Sequence, residues 1–233
     1  MTALLEIDVT LSRERLKEYK SNRREISFNA WLIKVISHTI GTNKSVAGFL
    51  KGRRKIIVFD HVNVSFLIEK EINGERIPLP VLIEKANTLD IENIARQLNE
   101  SKKEKPSQNQ IVIQKEATPF ERLYYYLPAF FRRAIWRYML RHPKTVFSKM
   151  GNVAITSLGM YGKINGWFIP ISIHPICFGI GSIVKKPVVL DDKIEIREVL
   201  NMTVLFDHDV IDGANATRFM KALIRNIEDG AYL

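Results

Sequence analysis

The chain has 233 residues, 46% of them hydrophobic, which suits one folded domain with a sizeable core and excludes a disordered chain. Its 35 Lys and Arg against 25 Asp and Glu give a formal net charge of +10, which brings nucleic acid and anionic membrane surfaces into consideration. The single cysteine, Cys177, excludes an intramolecular disulfide, and no signal-peptide pattern opens the chain, so we expect a cytoplasmic protein.

Strands and helices alternate through the first hundred residues. Residues 4–9 are typical of a strand, and a basic helix is expected over 12–19. Ser27 predicts the start of a second helix, whose apolar positions Trp31, Leu32, Val35 and Ile36 form one stripe. Two further strands are expected over 56–59 and 62–68, a hairpin turn at 72–74 and an extended segment over 78–83. A helix then begins at Thr88 or Asp90 and continues to Leu98. This irregular alternation predicts an α/β or α+β fold with a mixed sheet.

Residues 105–149 are basic and rich in aromatic side chains. From Pro119 to Met150, seven cationic residues face a single acid, Glu121, and Tyr, Phe and Trp lie between them. Such a segment suits an anionic membrane surface, a polyanion, or a helical hairpin with its apolar face on the domain and its arginines in solvent. We favour the hairpin, because the aromatic positions fall on several sides of a helix and Pro128 and Pro143 break the segment into short pieces.

A strand, a turn and a helix follow one another near the C-terminus. Residues 201–207 alternate as a half-buried strand, and a helical pattern begins at Ala216. His208 stands at the strand exit, where a rigid scaffold can direct an imidazole into a cleft, and Asp212-Gly213 follows four residues later. Taken alone, the same spacing also suits an incidental histidine followed by a helix-capping aspartate.

The other four histidines have no comparable chemical context. No two of them have the spacing of metal ligands, so we expect no metal site. The chain also contains no glycine-rich phosphate loop and no Gly-x-Ser-x-Gly nucleophile motif. His208 is therefore the residue on which a catalytic hypothesis depends.

The string FDHDVIDGA at residues 206–214 resembles the His-x-x-x-Asp-Gly signature of two related groups. These are the catalytic domains of the 2-oxo acid dehydrogenase acyltransferases and the chloramphenicol acetyltransferases. The strings EIDVT, SFNAWLIKVISHTI, HVNVSFLIEK, IPLPVLIEKA and AITSLG have counterparts there in the same order. The resemblance implies one acyltransferase-type domain over 1–233 with a chloramphenicol-acetyltransferase-like mixed sheet flanked by helices. From the same resemblance we expect residues 105–149 to form a helical insertion and this chain to carry no lipoyl domain.

The resemblance also implies a function. We expect acyl transfer between coenzyme A and either a lipoyl-type thiol on another protein or a small-molecule acceptor, in a homotrimer with sites between subunits. His208 is the expected general base and Thr156, in the place of the family's serine, the oxyanion donor. Asp212 is expected to be structural, paired with an arginine; Arg13 and Arg15 are the candidates. The residues that bind coenzyme A are not predicted.

Three departures from the family pattern keep a second function open. Thr156 replaces the serine, Asp209 stands where the dehydrogenase-complex members usually carry arginine, and the lipoyl domain is missing. The alternative is a trimeric binding or scaffold protein that has lost the chemistry. A membrane-surface role is not favoured, and nucleic-acid binding ranks last, because both rest on residues 105–149 alone.

Overall fold

The structure is a computed structural model that describes residues 1–22, 26–52, 54–72, 75–103, 126–159 and 164–233. Eight strands form two sheets within these ranges: β1 (Thr2–Asp8), β2 (Phe49–Lys51), β3 (Lys55–Ile57), β4 (Val64–Ile72), β5 (Glu75–Ile83), β6 (Val153–Ser157), β7 (Ile176–Leu190) and β8 (Lys193–Phe206). The helices are α1 (Thr10–Asn22), α2 (Phe28–Thr42), α3 (Ile91–Lys103), α4 (Ala129–Leu140), α5 (Pro143–Met150) and α6 (Gly213–Glu228). None of the described helices is both long and apolar enough to cross a membrane.

The main sheet has the strand order β1-β8-β7-β6-β4-β5 and is mixed, as expected. Strand β6 is parallel to β4 and β7, and the other pairs are antiparallel. The expected β4–β5 hairpin is confirmed by the pairing of Ile72 with Glu75, although its turn at 73–74 lies outside the described residues. Pro78 and Pro80 fit into β5 because it is an edge strand, where a missing N–H leaves no unpaired partner in the sheet.

Helix α2 forms where the sequence predicts it. The Ser27 side chain accepts a hydrogen bond from the backbone N–H of Ala30 at 3.2 Å, which caps the first turn. The predicted apolar stripe is fully buried, and the indole N–H of Trp31 donates to the Ala231 carbonyl at 2.9 Å. Helix α1 begins earlier than expected, at Thr10, because the carboxylate of Asp8 accepts from the Thr10 N–H. Asp90 caps α3 through the N–H of Asn93 at 2.7 Å.

The two faces of the sheet have different surroundings. Ile155, Phe178 and Val204 lie side by side on the face covered by helices, where Phe178 meets Phe219 of α6 at a centroid distance of 6.5 Å. Side chains alternate along a strand, so Thr156 and Gly179 point to the opposite face. That face is crossed by the segment 164–173. Its Trp167 indole N–H donates to the Leu5 carbonyl of β1, and its Gly166 carbonyl accepts from the Asn201 side chain of β8. The segment therefore covers the part of the sheet that contains Thr156.

Strands β7 and β8 continue beyond the sheet as a two-stranded arm, which was not expected from the sequence. The arm closes with the pair Leu190–Lys193, and Asp191 and Asp192 between them have φ values of 47° and 61°. Two consecutive positive φ values are typical of the tight turn that joins hairpin strands, and aspartate tolerates them. Three apolar side chains of the arm are largely exposed: Val189 (66%), Ile194 (76%) and Ile196 (75%).

The described part of the insertion is helical, as expected, but its packing differs from the prediction. Helix α4 contains no buried residue, and Ile135 and Met139 are its only large apolar side chains that are even half-buried, so the broad apolar contact expected of the insertion is not observed for this helix. Helix α5 is attached more firmly, through the buried residues Pro143 and Val146 and a ring stack between Phe147 and Phe59 with centroids 3.9 Å apart. The aromatic residues at 120–125 lie outside the described residues.

Candidate active site

The turn between β8 and α6 presents His208 to solvent. Phe206 before the turn and Ile211 after it are both buried, so the two ends of the turn are anchored in the core. The Asp207 N–H donates to the Pro175 carbonyl at 2.9 Å, and the Asp207 carboxylate accepts from the Asp209 N–H at 3.0 Å. Among the described residues the His208 ring has no hydrogen-bond partner. The fold thus holds this backbone in place and leaves the imidazole available.

Asp212 caps the helix that follows the turn. Its carboxylate accepts a hydrogen bond from the Asn215 N–H at 2.7 Å, at the first turn of α6. Neither candidate arginine pairs with it in the described part of the chain. Arg13 forms an ion pair with Glu198 at 2.6 Å, and Arg15 donates to the Asp229 carbonyl. The expectation that Arg13 or Arg15 holds Asp212 is therefore wrong within one chain.

Thr156 lies near the C-terminal end of β6 on the face crossed by the segment 164–173. It is half-buried and level with Gly179 of β7, which is level with Thr203 of β8. The Thr203 hydroxyl is buried and has no hydrogen-bond partner among the described residues. Gly179 allows the segment 164–173 to approach the sheet closely, because a Cβ there would lie only 3.1 Å from Pro170 Cδ and 3.2 Å from Phe168 Cζ.

His208 and Thr156 of one chain lie far apart. Thr156 is level with Thr203, and His208 is five residues further along the chain, past the opposite end of β6. With about 3.3 Å per residue along a strand and about 4.8 Å between strands, their Cα atoms are roughly 15–20 Å apart. A base and an oxyanion donor that act on one carbonyl must both lie within about 3 Å of the reacting groups. A single chain therefore does not bring the two side chains together.

His174, which the sequence pattern did not single out, has a structural role. Its Nε2 lies 3.0 Å from the Met150 carbonyl, so Nε2–H donates there, and Nδ1 accepts from the Ser172 hydroxyl at 2.8 Å. Burial lowers the pKa of His174, against a smaller opposite effect of the Met150 hydrogen bond, and favours this neutral ring. His174 precedes Pro175, whose carbonyl fixes the His208 turn. The spacing Ser-x-His-Pro is the only signal in the sequence that pointed to it.

Cys177 is not suited to be a nucleophile. It is buried, and burial raises its pKa to about 11, although a hydrogen bond with Ser172 acts in the other direction. The thiol is therefore protonated at neutral pH, and the reactive form of cysteine is the thiolate. No group of three metal-binding side chains occurs among the described residues.

A cleft of about 760 Å³ lies on the other face of the sheet. It is lined by Ser157 and Ile180 of the sheet and by residues of α1 and α2, including Arg13 and Asn29. The volume suits a small-molecule site. Because Ser157 and Thr156 point to opposite faces, the Thr156 hydroxyl does not line this cleft. We therefore assign the cleft no part in the reaction.

Known structures with a similar fold identify the fold class of this chain. The structure superposes on chloramphenicol acetyltransferase with a TM-score of 0.55 and 11% identity, covering 99% of this chain and 87% of that one. It also superposes on the Azotobacter vinelandii dihydrolipoamide acetyltransferase with a TM-score of 0.67 and 19% identity, covering 98% of this chain and 81% of that one. The chain has the chloramphenicol-acetyltransferase-like fold, as expected.

The family follows from the sequence match. Residues 1–112 and 147–233 match the family of 2-oxoacid dehydrogenases acyltransferase (catalytic domain), and the chain belongs to this family. One curated relative is the dihydrolipoyllysine-residue acetyltransferase component of the Staphylococcus aureus pyruvate dehydrogenase complex. It is 39% identical over 85 residues, which cover 34% of this chain and 19% of that protein. The matched region is about a fifth of the relative's length, and the family match omits residues 113–146, within the expected insertion.

Proposed function

We propose that this chain is an acyltransferase that moves an acyl group between coenzyme A and a second acceptor. The acceptor is a lipoyl-type thiol carried on another protein, or a small molecule. Family membership supports the reaction class. A serine, a histidine and an asparagine have been investigated in the catalytic mechanism of the Azotobacter vinelandii relative, and Thr156, His208 and Asp212 are the residues that we assign to the corresponding roles here. The cytoplasmic location, in keeping with the buried thiol of Cys177, is part of the same proposal.

The proposed reaction is a direct transfer between two thiols or between a thiol and a hydroxyl or amine. His208 takes the proton of the incoming group, which attacks the thioester carbonyl and forms a tetrahedral oxyanion. The Thr156 hydroxyl donates a hydrogen bond to that oxyanion. When the intermediate collapses, the leaving thiolate takes the proton back from the imidazolium. Each of these groups commonly contributes about 10²–10³ in rate, so loss of either one should be severe.

The separation of His208 from Thr156 is the observation that carries the proposal. Because the Cα atoms of His208 and Thr156 in one chain are roughly 15–20 Å apart, a working site needs the base of one copy and the hydroxyl of another. The protruding β7–β8 arm, with its exposed Val189, Ile194 and Ile196, offers an apolar surface for a neighbouring copy. We propose a homotrimer in which every interface contains one complete site.

Complementation between two inactive variants tests this arrangement. His208→Ala and Thr156→Ala are each expected to lower acyl transfer at least 100-fold while the protein stays folded and trimeric. Co-expression with two affinity tags yields mixed trimers. Any trimer with two chains of one kind and one of the other contains one interface at which both side chains are intact. We therefore expect about a third of the parental rate per trimer, because one site in three is complete.

Two outcomes would contradict the proposal in different ways. Verified mixed trimers without activity would show that His208 and Thr156 do not form a shared site. A parent protein that neither transfers acyl groups nor gains thermal stability with coenzyme A or acyl-coenzyme A would instead favour the inactive scaffold. The Asp90→Ala variant serves as a control for co-expression and assembly, because Asp90 caps α3 and is neither the proposed base, His208, nor the proposed oxyanion donor, Thr156.

A further inference from the structure

Helix α4 carries large apolar side chains on its outer surface. Ile135 and Met139, four residues apart, are half-buried and mark the least exposed side of the helix. The large apolar side chains exposed in this region are Tyr126, Phe130, Phe131, Trp136, Tyr138 and Leu140. With about 200 Å² for each free side chain, exposures such as 64% for Phe130 and 61% for Tyr138 leave on the order of 700 Å² in water. Exposed apolar surface on this scale usually marks a binding surface.

The same region is strongly cationic. Residues 126–150 contain no acid and six cationic residues: Arg132, Arg133, Arg137, Arg141, Lys144 and Lys149. None of the three arginines within α4 forms an ion pair in the described part of the chain. A surface with this charge is complementary to an anionic partner.

One ridge of the helix carries two arginines between two apolar side chains. Phe130, Arg133, Arg137 and Leu140 follow one another at spacings of three or four residues, so they lie on the same side. An arginine can lay its aliphatic stem along an apolar surface and extend its guanidinium to a phosphate. Aromatic rings prefer the level of lipid headgroups, where one end is apolar and the other is wet. A ridge with two arginines between two apolar side chains suits contact at the headgroup level better than deep insertion.

We propose that α4 docks on an anionic lipid surface. Three of its rings are poorly placed to stack on nucleic-acid bases, because they already contact other protein rings. The Phe130 and Phe131 centroids are 4.2 Å apart, and Tyr138 stacks on His142 at 4.0 Å. Binding to a single-stranded nucleic acid relies on free ring faces, and an exposed leucine adds nothing to it. A lipid surface accommodates Phe130 and Leu140 together with the two arginines of the same ridge.

Docking through α4 would place a defined edge of the protein at the membrane. Helix α5 follows α4 and ends at Met150, whose carbonyl accepts from His174, and the next residue, Pro175, accepts from Asp207. The C-terminal end of α5 and the His208 turn therefore lie at the same end of the sheet, and α4 contacts α5. This inference does not depend on the proposed acyl transfer, because lipid binding is measured without any substrate.

Vesicle binding with matched charge variants tests the proposal. The probes are vesicles of phosphatidylcholine alone and of phosphatidylcholine with phosphatidylglycerol. The test variant carries Arg132→Gln, Arg133→Gln and Arg137→Gln. The control removes three exposed charges from the β2–β3 hairpin by Lys51→Gln, Arg54→Gln and Lys55→Gln. Each basic residue near an anionic surface contributes roughly a factor of five, so we expect about 100-fold weaker binding for the test variant and a small change for the control.

A second pair of measurements examines the apolar side chains. Phe130→Ser with Phe131→Ser keeps every charge and is expected to weaken binding to the anionic vesicles at least tenfold. In a Trp167→Phe background, Trp136 is the remaining exposed tryptophan of the described chain, because Trp31 is fully buried. Its emission should shift to shorter wavelength when anionic vesicles are added, and added salt should reverse the shift.

Three results would overturn the lipid proposal. Equal losses in the α4 variant and the β2–β3 control would mean that net charge alone causes the binding. Tight binding of the parent to single-stranded RNA without binding to vesicles would assign the surface to a polyanion. A change of oligomeric mass in the Phe130→Ser, Phe131→Ser variant, with no vesicle binding by the parent, would assign it to a contact between copies of this chain.

Discussion

Gly179 is the position where a single methyl group should disturb the candidate site most specifically. It lies in β7 level with Thr156 and beneath the segment 164–173. A Cβ at this position would approach three atoms closely: Pro170 Cδ at 3.1 Å, and Phe168 Cζ and the Phe168 carbonyl oxygen at 3.2 Å each. Two of these belong to a proline ring and a backbone carbonyl, which cannot turn aside as a flexible side chain can. Gly179→Ala should therefore lift the segment from the sheet.

The expected loss of stability follows from two opposing effects. Overpacking of this kind costs about 1–3 kcal/mol, whereas replacing glycine by alanine restricts the unfolded chain and returns about 0.4–1 kcal/mol. The net loss is about 1–2 kcal/mol, or roughly 2–8 °C in Tm for a chain of this length. A displacement of a few tenths of an ångström beside Thr156 should also lower the acyl-transfer rate by about tenfold, because misplacing a catalytic group by 1 Å can cost about 100-fold.

Gly159→Ala is the matched control for this change. A Cβ at Gly159 would meet Ser157 Oγ at 3.6 Å and the Gly181 carbonyl at 3.8 Å, both ordinary contact distances. Thermal unfolding and acyl transfer should therefore be near the parental values in this variant. If Gly179→Ala were as stable and as active as Gly159→Ala, the segment 164–173 would not be held against the sheet at this level, and the reasoning about Thr156 would be refuted.

Two further predictions concern the residues that hold the His208 turn. Asp212→Ala removes the cap of α6 and should cost about 1 kcal/mol and reduce acyl transfer; Asp90→Ala removes an equivalent 2.7 Å cap from α3 and should cost a similar amount with activity retained. Equal activities in the two variants would deny Asp212 a role beyond capping. Because burial lowers the pKa of His174 below its ordinary 6.5, the unfolded chain binds the extra proton first, so stability should fall as pH drops below about 6.5. Melting curves at pH 7 and 5 should show a smaller fall for His174→Gln than for the parent or for a variant of the exposed His142, His142→Gln, and identical falls would contradict the assignment.

Local signals explain which parts of the fold could be predicted from the sequence. Ser27 and the stripe that begins at Trp31 gave α2 correctly, because a cap and a helical period act within a few residues. The β4–β5 hairpin was predicted from a turn sequence for the same reason. The order of several such motifs then identified the fold class, although no single one of them would have done so.

The features that the sequence did not predict depend on contacts between distant residues, or lie in strands and helices whose apolar residues do not form one clear face. The outer arm of β7 and β8, over 184–190 and 193–198, contains no buried residue, so its sequence lacks the clear apolar alternation of a strand that packs on the core. The Asp191-Asp192 turn was the available signal for it. In α4, apolar and cationic residues are mixed on all sides of the helix, so the sequence does not indicate which side packs against the rest of the chain. His174 was overlooked because its partner Met150 is 24 residues away.

The exposure of His208 has a different meaning in one chain and in an assembly. In an isolated chain, an imidazole in solvent without a partner is most simply an incidental surface histidine. A base that serves a site shared between copies must, however, be exposed on its own subunit, because the groups that surround it come from the neighbour. The anchored ends of the turn, with Phe206 and Ile211 buried and Asp207 hydrogen-bonded to Pro175, give the residue a fixed backbone that an incidental position does not need.

A contact between copies that forms the shared site joins the His208 end of one sheet to the Thr156 end of the next, which is a head-to-tail relation. Head-to-tail contacts leave no unmatched half-site only when they close into a ring, and three copies form the smallest ring beyond a twofold pair.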